Sequence, residues 1–208
     1  MTAGAICRIL LLPAIVAMGV AVAPADANAH LMTTGLGPFY DGAAHFLMSP
    51  EAILPVAALG IFAGLQGLSH ARAAVVMLPI GWILFGFAGV LTGPLDISPI
   101  YESVPLILLG GLAAANLRSP TWLTAVLAIL LGMLEGYIFG SAASAIRDGM
   151  VGVVGTVSVV FITIALVTAA VMNATRGWSR IAVRVVGSWT AATGILLLGW
   201  GLRSNGSL

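Results

Sequence analysis

The chain has 208 residues, of which 60% are apolar and 7% charged, and its formal net charge is +1. A soluble domain carries roughly a quarter charged residues, so this composition points to a bilayer and excludes an ordinary globular enzyme. The near-zero charge gives no electrostatic footprint for nucleic acid, and no Rossmann or P-loop glycine pattern occurs.

Residues 1–29 read as a secretory signal. Arg8 precedes an apolar run from Ile9 to Val22, Pro24 and Asp26 break it, and Ala27-Asn28-Ala29 supplies an A-x-A cleavage site. The competing reading is an uncleaved first helix, but the run is short for a span. Cleavage after Ala29 makes His30 the first mature residue. Cys7, the single cysteine, falls in the leader, so the mature chain has neither a disulfide nor a thiolate metal site.

The next segment, 30–50, is expected at the outer face. Within it Gly35–Met48 is too short to cross a membrane, yet it carries Phe39, Tyr40, Phe46 and Leu47. It is expected to lie at the interface or to dip into the bundle. Asp41 and His45 are four apart and share one face if the stretch is helical. Such a pair suits either a weak cation site or a local ion pair.

Residues 51–208 form the transmembrane domain. Apolar runs occupy roughly Glu51–Leu68, Arg72–Thr92, Ile100–Leu117, Thr121–Ala142, Gly149–Met172 and Ile181–Leu202, each near the ~20 residues that cross a bilayer. The expected fold is therefore an all-α membrane protein, a bundle of six transmembrane helices after a cleavable signal peptide. Ser49-Pro50, Ser98-Pro99 and Ser119-Pro120 open three of the runs. Serine can cap free N–H groups and proline suits the first helical position. Glu51 falls in the first turn of its run, where it either complements the helix dipole or faces a cation.

Arginine sets the orientation. With the mature N-terminus outside, the inner loops hold Arg72, Arg118, Arg176, Arg180 and Arg184, and the outer side holds only Arg147 and Arg203. Both mature termini then lie on the periplasmic side of a bacterial inner membrane. Asp41, Glu51, Asp96, Glu102 and Asp148 all fall at or near the outer face. They read either as solvated loop charges or as an acidic vestibule that attracts cations.

Glu135 is the one carboxylate well inside a run, about two turns or ~9 Å from the outer end of the fourth. An intramembrane carboxylate is costly unless it is paired, protonated or facing a cavity. It is either a functional group or a neutral acid hydrogen-bonded to a neighbouring helix. Gly132, Gly136 and Gly140 recur every four residues on the same run, and Gly60 and Gly64 offer a similar surface on the first. Small-residue stripes are packing devices, and these two would bring the first and fourth helices together beside Glu135.

The chain resembles the HupE/UreJ family, small membrane proteins of hydrogenase and urease systems regarded as nickel or cobalt permeases. The family has a histidine followed six and seven residues later by aspartate and histidine. Here His45 matches, Glu51 replaces the aspartate and Ala52 the second histidine. The family's later motif reads roughly His-Gly-Tyr-Ala-His-Gly. Here Glu135-Gly136-Tyr137-Ile138-Phe139-Gly140 keeps the glycines and the tyrosine, with Glu135 and Phe139 in the histidine positions.

The resemblance implies a divalent metal-cation permease, with nickel or cobalt as the family's cargo and no permanently bound cofactor. Its metal ligands are expected among His30, Asp41, His45, Glu51 and Glu135, with no catalytic residue. With fewer imidazoles than the family and more carboxylates, the donor set shifts toward harder ions or protons. The expected partners are the lipid bilayer, the ion, and a further membrane protein or a second copy of the chain. The alternative is a non-transporting membrane accessory subunit or metalloenzyme assembly factor. An intramembrane enzyme is disfavoured, since no nucleophile–base pair accompanies the deep carboxylate.

Overall fold

A computed structural model describes residues 34–94, 100–174 and 177–205. The leader, His30, Asp96, the Ser98-Pro99 pair and Arg176 lie outside the described residues.

The described residues form seven α-helices and no strand: α1 (Pro38–Met48), α2 (Pro50–Gln66), α3 (Leu68–Thr92), α4 (Ile100–Ala115), α5 (Thr121–Ala143), α6 (Gly149–Met172) and α7 (Gly177–Asn205). Four of them, α3, α5, α6 and α7, are long and apolar enough to cross a membrane. The pair α1–α2 passes the same test only when taken together, and it bends by 73° at Ser49. Proline at position 50 forces the break, because it lacks an N–H and disfavours helical geometry in the residue before it. Helix α4 is apolar but only 16 residues long, ending at Asn116 in the left-handed region (φ 49°), where asparagine is tolerated.

Two expected details are corrected. Ser49 is the N-cap of α2, but its side chain makes no capping hydrogen bond, and the N-cap of α5 is Pro120 rather than Ser119. In α2, proline at N1 already removes one of the free N–H groups that Ser49 would serve. The loop expected around residues 69–71 is helix instead. The chain turns from α2 into α3 through Gly67 alone, at φ 110°, a conformation open to glycine and strained for other residues.

In lipid the hydrophobic effect does not drive helices together, so close packing must. The most extensive contact is the α3–α5 seam. A Cβ on Gly132 would overlap the Leu78 carbonyl, one on Gly136 the Trp82 carbonyl and one on Gly140 the Gly86 carbonyl. Gly81 and Gly89 reciprocate from α3. The Gly132–Gly136–Gly140 stripe therefore binds α3, not the first long run. Gly60 and Gly64 of α2 face Val167 and Val171 of α6. The expectation that the two stripes meet is overturned: each found a bulkier or equally small partner on a different helix.

The short helix α1 packs on α6, where Gly42 meets the Gly152 backbone and Thr156 donates to the Gly42 carbonyl at 2.8 Å. It dips into the bundle: Phe46 is 1% exposed, edge-on to Trp82 at 5.7 Å. Around that pair the core gathers Val56, Leu59, Leu78 and Ile164. Helices α4 and α7 form a second close pair. Gly110 meets the backbone of Gly187 and Ala191, and α2 bridges the pair to the rest.

Candidate cation site

The bundle has two chemically distinct ends. At one end Gln66 of α2 donates to the Leu117 carbonyl, Arg184 of α7 donates to the Ala114 carbonyl at 2.8 Å, and His70 of α3 meets Thr124 of α5. Arg72, Arg118, Arg180 and Arg184 belong to this end. Asp41, Glu51 and Glu102 belong to the other, at the break between α1 and α2 and the start of α4.

Glu135 lies on α5 toward the acidic end. Its residue is 6% exposed, and its Oε1 has no hydrogen-bond partner among the described residues. A buried polar atom without a partner costs about 1–3 kcal/mol, more if charged. Two other carboxylates, Glu102 on α4 and Glu51 on α2, are close enough to act on it electrostatically, and they act on each other. The surroundings thus supply negative charge and no donor to the free oxygen. Trp82 of α3, which packs on Phe46, also has a buried Nε1 without a partner.

His45, in the last turn of α1, packs against Phe139 with ring centroids 5.3 Å apart and planes tilted by 49°, and it lies within the field of Glu51. The two motif frames of the sequence therefore face each other across the bundle. The first frame's histidine touches the aromatic ring that replaces the second frame's histidine. Tyr137 of that frame shares a hydrogen bond with Thr92 at 3.0 Å, tying α5 to α3 at the acidic end.

Asp41 stands apart. Its carboxylate accepts from the Thr34 backbone N–H at 2.5 Å and the Thr34 hydroxyl at 2.7 Å, so the helical spacing with His45 is used for position rather than for an ion pair. It borders a small void with Gly42, Phe139, Ala143 and Gly152. Among the described residues no three His, Cys, Asp or Glu side chains are grouped closely enough to hold one ion. The site is an open arrangement of acids around a buried one.

Two residues were missed by sequence reasoning. Glu102 was expected only as an outer-face charge, but its place in the first turn of α4 brings it into the field of Glu135. His70 was hidden by the misplaced loop. It is 7% exposed, with Nδ1 2.7 Å from the Thr124 hydroxyl and Nε2 3.4 Å from that of Thr121. Both ring nitrogens face hydroxyls, as a structural imidazole requires. The available signal was Thr121 and Thr124 at the start of one run facing Ser69-His70 at the start of another, legible only once α3 and α5 are known to pair.

No curated protein and no solved structure matches the chain. The model of the family described as HupE / UreJ protein matches residues 16–197. That span takes in both motif frames and all the helices that carry the acids. The chain belongs to the HupE/UreJ family.

Proposed function

We propose that the protein is a divalent metal-cation permease of a bacterial inner membrane, with six membrane crossings and both mature termini on the periplasmic side. The observation that carries this reading is Glu135, a buried carboxylate on a membrane-crossing helix with one oxygen unpartnered and two further carboxylates acting on it. Hydrocarbon does not tolerate such a group without compensation, and intramembrane acids mark ion pathways. A transiting cation supplies the missing partner.

The break at Ser49 supports the same reading. Transporters place ion sites where a helix is interrupted, since the freed backbone ends add dipoles to the site. Here the break sits between His45 and Glu51. On this reading cations gather at the acidic end near Asp41 and His45 and meet Glu51 and Glu135. His30, at the start of the mature chain, supplies a further imidazole and an amine. The carboxylate-rich set suits harder divalent ions than the nickel of the family's usual histidines, so cobalt and manganese belong in the test beside nickel. No ATP-binding motif occurs in the sequence, so transport runs down or is coupled to an ion gradient.

Flux of Mn2+, Co2+ and Ni2+ into proteoliposomes tests the proposal. At least one ion should move, and Glu135→Gln should stop it while the protein still inserts and folds. Unchanged flux in that variant sinks the site. Orientation is read by labelling single cysteines beside Arg118 and Arg147 in intact cells: the first should be protected and the second accessible. An intact mass beginning at His30 checks the cleavable leader.

A non-transporting accessory subunit or assembly factor is the second reading. It is favoured by the lack, among the described residues, of three ligand side chains grouped around one point. Absence of flux for every ion, with stable copurification of a metalloenzyme subunit, would select it.

A further inference from the structure

At the arginine end a groove runs between α3 and α6. Leu68, Arg72 and Val76 wall it from α3, and Ala165, Ala169 and Asn173 from α6. Each set recurs every four residues, so each is one stripe along its helix. The small alanines leave a hollow of about 410 Å³. Thr168 also lines it, but its hydroxyl donates to the Ile164 carbonyl at 2.8 Å within its own helix.

The groove is graded from polar to apolar. Helix α3 starts at Leu68 and α6 ends at Met172, so Arg72 and Asn173 stand at one mouth. Val76 and Ala165 form the deeper wall. Leu68 to Val76 spans ~12 Å at the helical rise, close to the ~15 Å hydrocarbon depth of one leaflet. A cation at the water-facing mouth and a hydrocarbon slot of leaflet depth match the two parts of a phospholipid.

Arg72 is free to serve such a ligand. It is exposed, and it makes no hydrogen bond or ion pair among the described residues. Arg184 at the same end differs: it donates to the Ala114 carbonyl and so caps the end of α4. Arg72 does nothing comparable for the end of α6. The groove between α4 and α5 differs in the other way. It is as large, about 430 Å³, but no charged side chain lines it, so it has nothing with which to select a headgroup.

We propose that the α3–α6 groove binds a phospholipid with a net negative headgroup, its phosphate on the Arg72 guanidinium and one acyl chain along the hollow. The guanidinium fork matches two phosphate oxygens at once, and basic grooves between membrane helices select anionic headgroups. The site lies at the opposite end of the bundle from Glu51 and Glu135 and is independent of the ion path. Only its assignment to the inner leaflet rests on the orientation given under Proposed function.

The test titrates the delipidated full chain in detergent with phosphatidylglycerol or phosphatidylethanolamine of the same acyl chains. Native mass spectrometry counts the lipid retained. The protein should hold one phosphatidylglycerol with a preference of about fivefold, the range of a single basic residue beside an anionic surface. Arg72→Gln should remove the preference, and Arg72→Lys, which keeps the charge without the fork, should leave part of it. Arg180→Gln, at an exposed arginine of the same end outside the groove, should leave it whole. Ala169→Phe, which fills the hollow, should lower retention of both lipids with Arg72 in place. Circular dichroism of each variant checks that it is folded. Equal retention of the two lipids by the unaltered protein, or a preference that survives Arg72→Gln, overturns the proposal. A preference that Arg180→Gln removes equally overturns it as general charge attraction. Displacement of the lipid by glycerophosphate, which has no acyl chain, overturns it in favour of a plain phosphate site. None of these readouts depends on ion flux, so the permease reading stands or falls separately.

Discussion

The two ends of the α3–α5 pair make opposite use of polar groups. At the arginine end His70 places its ring nitrogens against two threonine hydroxyls, Gln66 and Arg184 donate to carbonyls, and helices are pinned to their neighbours. Ser119, whose buried hydroxyl lacks a partner, is the exception there. At the acidic end Glu135 and Trp82 each leave a buried polar atom unpartnered, and the nearest charges have the same sign as Glu135. A hydrogen bond contributes little net stability, but an unmade one in a buried setting costs a good deal. An end that leaves such groups unmade has stability set against it, so on the permease reading proposed above a bound cation would supply part of the offset.

The contrast is broken most directly at Glu135. Glu135→Gln should reduce cation flux at the upper end of the roughly 10–100-fold produced by perturbing metal sites, with stability unchanged or raised because an uncompensated carboxyl is gone. Reconstituted flux and detergent-denaturation midpoints measured on the same preparation read both. A variant that loses stability instead would place Glu135 among the structural groups.

Next in size is the seam that joins the two ends. Gly140→Ala should cost about 1–3 kcal/mol of stability, because the new methyl meets the Gly86 backbone rather than a flexible side chain. An SDS-unfolding titration checks this. A neutral result would mean that α3 and α5 can separate without penalty, and the seam would no longer hold the site.

At the arginine end Thr124→Val keeps the shape of the side chain and removes the partner of His70 Nδ1. A loss of about 1–3 kcal/mol is expected, with flux per folded molecule unaltered. A flux defect as deep as that of Glu135→Gln would make His70 part of the ion path and erase the distinction between the ends.

Gly111→Ala is the smallest expected effect and the control for Gly140→Ala. Nothing lies within 4 Å of the new methyl, so helix propensity alone acts, with a gain of up to about 1 kcal/mol. A substantial loss there would show that α4 packs against a surface beyond this chain.

Much of the helical order was legible in the chain itself. Glycine and proline punctuation and apolar run length place α5 and α6 almost to the residue, because a run of ~20 apolar residues has one stable form in lipid, a helix that satisfies its own backbone. Where runs are short the boundaries slipped. The turn at Gly67 was expected several residues later, since Leu68-Ser69-His70 looks like a polar connection until His70 is seen to be buried.

The site was legible in part. Burial cost singled out Glu135, and the motif resemblance linked it with His45 and Glu51. Their arrangement was not legible, because lipid-facing and protein-facing apolar residues look alike in sequence. Helices α3, α5 and α6 are apolar on every side, so periodicity cannot say which face meets which neighbour. Glycine stripes announce that a close partner exists without naming it, and the expected partner of Gly132, Gly136 and Gly140 was the wrong helix.

By itself, then, the sequence determined that this chain resides in a membrane, which segments are helical, and which carboxylate is out of place there. These follow from transfer energies that each residue carries wherever it sits. Only the tertiary structure decided that α3 pairs with α5, that α1 folds back at Ser49 to set His45 on Phe139, and that Glu102 joins Glu51 around Glu135. Those choices depend on backbone-to-backbone fit between specific helices, a property of pairs that a single run of residues does not encode.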